Sequence, residues 1–147
     1  MISVITPTHD PRWLNEVHKT LKEHTYTDWE WVIIPNGEAL NAELPKGKKI
    51  RIVPYTGVQN IGAIKRFGFD AAKGDMLVEV DHDDLITPDA LQCVYEALQE
   101  VDFCYSNSIE FINDTWEPHW YDGFELRDIE YKGLKLKEPI FWDQMPA

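Results

Sequence analysis

Four short apolar runs constrain this chain more than any other feature. They cover residues 2–6, 29–34, 49–54 and 76–80. The second is nearly unbroken in its apolar character, which suits a strand of a parallel sheet covered on both faces. Helical spacing fills the intervals between them. Leu14, Val17 and Leu21 follow Asp10-Pro11, read as an N-cap and a proline in the first helical position, and that helix runs to about residue 24. Ile61, Ile64, Phe67 and Ala71 lie on one face of a helix predicted over residues 57–72, stopped by Gly74. Leu91, Val94, Tyr95 and Leu98 follow Thr87-Pro88, the next expected cap and first helical residue. Asn36-Gly37 marks a turn after the second strand. A fifth strand is predicted over residues 103–106 and a further one over 108–112. Strand and helix in alternation predict a three-layer α/β/α sandwich with a mainly parallel sheet. In such sheets ligands bind outside the carboxyl ends of the strands.

After residue 112 the pattern changes. Trp116, Trp120, Tyr121, Phe124, Tyr131, Phe141 and Trp142 are scattered among charges without a period. The expected organisation is a core over residues 1–112 and an aromatic-rich segment over 113–147, the start of an acceptor-binding part cut short. The chain has 147 residues and a formal net charge of -12. That charge argues against nucleic acid as a partner, because such binding needs a basic surface. It argues equally against an anionic membrane surface. No 18-residue apolar run is present, so no transmembrane segment is expected and a cytoplasmic location is. Cys93 and Cys104 lack a C-x-x-C spacing and read as buried thiols rather than zinc ligands.

Asp81-His82-Asp83-Asp84 directly follows the fourth apolar run. Three carboxylates so close repel one another, and left unpaired their affinity for protons rises. A divalent cation relieves this, and hard oxygen ligands suit Mg2+ or Mn2+. A cation on one or two carboxylates keeps positions open for phosphate oxygens. It also inverts the local sign, which lets an acidic protein take a diphosphate. The competing reading is a solvated acidic turn capping the next helix; an apolar strand running straight into the loop favours a site.

These residues resemble glycosyltransferase family 2. Residues 2–9 (ISVITPTH) are similar to its opening strand, and residues 29–37 (WEWVIIPNG) to its second strand and turn. Asn60 to Gly68, with Ala72-Lys73-Gly74-Asp75, resembles the helix before the acidic loop; Asp81-His82-Asp83-Asp84 with Pro88 and Leu91 resembles the Asp-x-Asp motif and the helix after it. The resemblance covers roughly residues 1–112. It implies a GT-A, Rossmann-like fold, a nucleotide-diphosphate sugar donor, a hydroxyl acceptor and inversion at the transferred carbon. It places Pro7, Thr8, His9 and Asn36 at the nucleotide, and Lys65, or Arg66, near the diphosphate. Asp81 then meets the ribose or the cation, His82 neighbours them, and Asp83 is the main cation ligand. Asn36 stands where an aspartate is usual; it keeps an acceptor and adds an amide donor. The implied general base is a carboxylate on a later segment, and none of the late acids matches its pattern. Trp116, Trp120 and Tyr121 are candidates to line an acceptor cleft or to fill the core. A donor-binding module without the base is the alternative function. A sugar nucleotidyltransferase ranks lower, because residues 6–10 (TPTHD) contain no glycine.

Overall fold

The structure is a computed structural model. It describes residues 1–106 in full and, beyond them, only the backbone of residues 108–112, 115–119, 126–131 and 134–139. The chain divides into two compact units, Met1–Tyr95 and Glu96–Ala147.

The first unit is built on a parallel sheet of four strands: β1 (Ile2–Thr8), β2 (Trp29–Pro35), β3 (Ile50–Ile52) and β4 (Met76–Glu79). Their order is β3-β2-β1-β4. Three helices connect and cover them: α1 (Leu14–Lys22), α2 (Ile61–Ala71) and α3 (Ala90–Ala97). Side chains alternate across the pleat. Ile2 and Val4 of β1 and Trp31 and Ile33 of β2 join Leu14, Val17 and Leu21 of α1 and Leu91 of α3 in one cluster. Ile5, Val32 and Ile34 join Ile64 of α2 in another. Helices therefore pack on both faces, and the three-layer architecture expected from the pattern is present. β1 and β2 are buried along their whole length, as their apolar runs require.

Among the described residues, the buried side-chain polar atoms are paired except His24 Nε2. The indole Nε1 of Trp31 donates to Thr6 Oγ1 at 2.9 Å. Glu30 faces the α2 side, where its carboxylate accepts from Ser3 Oγ at 2.7 Å, Lys73 N at 2.8 Å and Arg51 Nε at 2.9 Å.

Helix boundaries depart from the sequence reading for local reasons. α1 starts at Leu14 rather than at Pro11. The Asp10 carboxylate instead accepts from Arg12 N at 3.1 Å and Arg12 Nε at 2.6 Å, a local turn that competes with capping. α2 starts at Ile61, because Asn60 Oδ1 accepts from Ala63 N at 3.2 Å and ends the loop there. Ile61 itself is exposed. α3 starts at Ala90, and the carbonyl of Pro88 turns to the segment after α1, where Thr25 N donates to it at 3.0 Å. Residues 103–106 form no strand. Cys93 is exposed and Cys104 partly so, contrary to the expectation of two buried thiols.

In the second unit, β5 (Ser108–Ile112) pairs antiparallel with β6 (Thr115–His119), and β7 (Leu126–Tyr131) with β8 (Leu134–Pro139). β5 is the strand predicted over residues 108–112, and β6, β7 and β8 occupy a stretch that shows no period in the sequence. The side chains of Trp116, Trp120 and Tyr121 lie outside the described residues. Among the described residues, no helix is long and apolar enough to cross a membrane.

Candidate functional site

The strand order fixes where a ligand can enter. From β1 the chain passes outward through β2 and β3, then returns across β1 to β4. The connection after β1 runs over one face and the connection before β4 over the other. Between β1 and β4 the loops diverge, which is the crevice where such sheets bind ligands.

Residues from both strand ends meet there. The rings of His9, after β1, and His82, after β4, stand edge to face with centroids 5.0 Å apart. Pro7 and Thr8 are buried in β1, and the Thr8 hydroxyl donates to Asp10 O at 2.8 Å. They underlie the crevice rather than presenting side chains to it. The Arg12 guanidinium holds the Asp10 carboxyl below the usual carboxylate range.

Asn36 is buried at the end of β2. Its amide nitrogen donates to Thr8 O at 3.0 Å and Ile34 O at 3.3 Å. Carbonyls only accept, so this pairing fixes which side of the amide carries nitrogen. Both donor positions are occupied, and Oδ1 is left as the acceptor. Gly37 follows with φ of +53°, the left-handed turn expected of Asn-Gly.

Lys65 projects from α2 to the acidic loop. It donates to Glu79 and lies 3.6 Å from Asp81. The Glu79 hydrogen bond, with the Asp81 charge, raises the Lys65 ammonium above its usual range. Arg66 points elsewhere, 3.9 Å from Asp70, and both side chains are exposed. The sequence left Lys65 and Arg66 as alternatives; Lys65 is the one that reaches the loop. Glu79 escaped the sequence reading. Its signal was a carboxylate in an otherwise apolar run, aligned with a lysine on the preceding helix.

The acidic loop itself is a tight turn, with Asp84 N donating to Asp81 O at 3.2 Å. Asp81 and Asp83 are exposed. Loss of water around Asp84, then the charges of Asp81 and Asp83, hold its carboxyl above the usual range. The carboxylates therefore crowd as the sequence implied. Among the described residues no three His, Cys, Asp or Glu side chains converge to enclose an ion.

Comparison with known proteins adds the following. The family model described as Glycosyl transferase family 2 matches residues 3–146. The O-antigen biosynthesis protein RfbC of Myxococcus xanthus is 24% identical over 153 residues, covering 89% of this chain and 12% of that protein. Glycosyltransferase GlyG of Streptococcus pneumoniae serotype 4 is 24% identical over 109 residues, covering 69% of this chain and 36% of that protein. Among solved structures, S. aureus TarS 1-349 in complex with UDP-GlcNAc is similar with a TM-score of 0.57 and 17% identity. The match covers 78% of this chain and 36% of that one. The chain thus spans well under half the length of these relatives.

Proposed function

Since the chain belongs to glycosyl transferase family 2, we propose that it forms the donor-binding portion of a glycosyltransferase acting on a nucleotide-diphosphate sugar. The base is uracil in this reading. Asn36 presents only Oδ1 outward, so it offers what an aspartate would, an acceptor for the N3–H of uracil. UDP and UDP-GlcNAc in the TarS complexes agree with that choice. A cytoplasmic location and a hydroxyl acceptor belong to the same reading.

Asp83, with Asp81, would hold Mg2+ or Mn2+. When bound, such a cation supplies Lewis-acid stabilisation to a leaving diphosphate. Lys65 adds positive charge on the same side and places it without rearranging solvent. Buried Pro7 and Thr8 set the floor, and His9 and His82 wall the crevice. Transfer inverts the anomeric carbon: a base takes the acceptor proton, the oxygen attacks, and the nucleoside diphosphate leaves from the opposite face. No residue described here is assigned as that base.

The observation that carries this reading is the approach of Lys65 to Asp81, 3.6 Å apart, in the acidic loop beside the β1/β4 crevice. The test is calorimetry of UDP and manganese with the Asp83→Ala variant. Both affinities should fall, by about tenfold or more, while the circular-dichroism spectrum stays native. Unchanged binding in a folded variant would remove the site. A second reading is a donor-binding module without transfer. Donor hydrolysis by this chain, measured as UDP release, separates the two.

A further inference from the structure

At the opposite end of the sheet lies a groove that the proposed function does not use. It is lined by His18, Lys22 and His24 from α1 and the turn after it, by Trp29 at the start of β2, and by Lys48 and Lys49 before β3. No acidic side chain lines it, in a chain where acids outnumber lysines and arginines by 26 to 14. Two of its side chains have other partners. Lys49 donates to Thr27 O and lies 4.3 Å from the centre of the Trp29 ring. His18 stacks on Trp31 at 5.6 Å. Lys22 and Lys48 are exposed, and no salt bridge among the described residues reaches them.

His24 supplies the second observation. Only 7% of it is exposed, yet its Nε2 has no hydrogen-bond partner. Nδ1 lies 2.9 Å from the carbonyl of Pro88 and must donate to it. Nε2 of the neutral ring is then a bare acceptor. A buried polar atom left unpaired is costly and calls for a missing partner. That partner must donate a hydrogen bond, while the rest of it must satisfy two ammonium groups. Among the described residues no three His, Cys, Asp or Glu side chains converge there to hold a metal ion.

A helix-end role explains part of this pattern. Lys22 sits in the last turn of α1, where a cation is favoured by the exposed carbonyls. It does not explain Lys48, nor the unpaired nitrogen of His24.

We infer that the groove is a binding site for a protonated phosphate group, its P–OH donating to His24 Nε2 and its anionic oxygens facing Lys22 and Lys48. Hydrogen phosphate and phosphate monoesters have both features near neutral pH. Sulfate has the charge but no proton to donate, so it binds less well. Nε2 is covered in the structure, so binding requires the ring or its neighbours to move, which the His24 NMR signals would report. The phosphate can come free in solution or from a lipid phosphomonoester.

The experiment is calorimetry of the chain with inorganic phosphate and with sulfate at matched ionic strength, with the His24 ring protons followed by NMR. Phosphate should bind and shift the His24 signals, and sulfate should bind at least about tenfold more weakly. The Lys22→Gln/Lys48→Gln variant changes only exposed side chains and should fold. It should lose phosphate affinity by about tenfold or more and keep its affinity for UDP with manganese. His24→Phe should abolish the preference for phosphate over sulfate; if it fails to fold, the lysine variant decides. Sedimentation with phosphatidic-acid and phosphatidylcholine vesicles identifies the source. Selective pelleting with phosphatidic acid that the lysine variant abolishes points to a lipid headgroup, and binding of free phosphate alone points to a soluble ligand. Equal binding of sulfate, full phosphate binding by the lysine variant, or no binding in either format would overturn the inference.

Discussion

At the residue scale, Glu30 shows how one buried charge ties the unit together. Burial alone would push its carboxyl up, yet Ser3, the Lys73 amide and Arg51 together hold it below the usual range. A carboxyl lowered in the folded state stabilises the fold above its unfolded pKa, and that contribution is lost as pH falls through the folded value. The melting temperature should therefore fall with acidification below the ordinary glutamate range, near pH 4.5. Glu30→Gln should flatten that part of the profile and cost about 2 kcal/mol at neutral pH, because charge-assisted hydrogen bonds are lost. Thermal unfolding across pH 3 to 7, of both proteins, checks the sign. Asn36 illustrates the limit of reading residues one at a time. Its identity left open whether it would donate or accept toward a ligand. The two carbonyls that occupy its nitrogen come from Thr8 and Ile34, and the Thr8 partner lies 28 positions away.

At the scale of elements, α2 couples packing to the crevice. Gly68 lies where the helix touches the sheet. A Cβ there would meet Ile5 Cγ2 at 2.6 Å and Ile34 Cγ1 at 3.1 Å. Replacing glycine by alanine in a free helix gains about 1 kcal/mol. Here the clash falls on β1 and β2 side chains, and overpacking of this kind costs about 1–3 kcal/mol. The steric term wins. Gly68→Ala should lower stability in urea titrations. Because Lys65 lies one turn before Gly68, the same variant should weaken UDP affinity; an unchanged affinity would uncouple the helix from the site. The helix patterns were legible because their apolar faces repeat, but their first turns were not. Asp10 and Asn60 are both acceptable caps by type, and only Asn60 caps, since Asp10 has Arg12 within reach. Beyond residue 107, the strand over residues 108–112 was legible and is β5, whereas the three strands after it were not read from the sequence.

At the scale of the whole molecule, the sheet could be read from sequence because it follows from patterning. Apolar runs separated by helices imply parallel strands, and a polar cluster after one run implies the carboxyl edge. Strand order could not be read. Only the structure shows that β4 returns beside β1, which brings His82 to His9 and makes the acidic loop part of a crevice rather than a rim. Nor did composition reveal the groove lined by Lys22 and Lys48, because a net charge of -12 hides a local excess of cations.

The two apolar clusters of the first unit have no buried member in common. They are like two rooms that share a party wall, the hydrogen-bonded backbone of β1 and β2. Damage on one side should not be felt as repacking on the other. Leu21→Ala, at about 2–5 kcal/mol, and Ile64→Val, at about 0.5–1.5 kcal/mol, should therefore sum to within about 0.5 kcal/mol in the double variant, as urea unfolding would show. Yet neither room can stand without the wall, so both should empty in a single transition whichever side is weakened first.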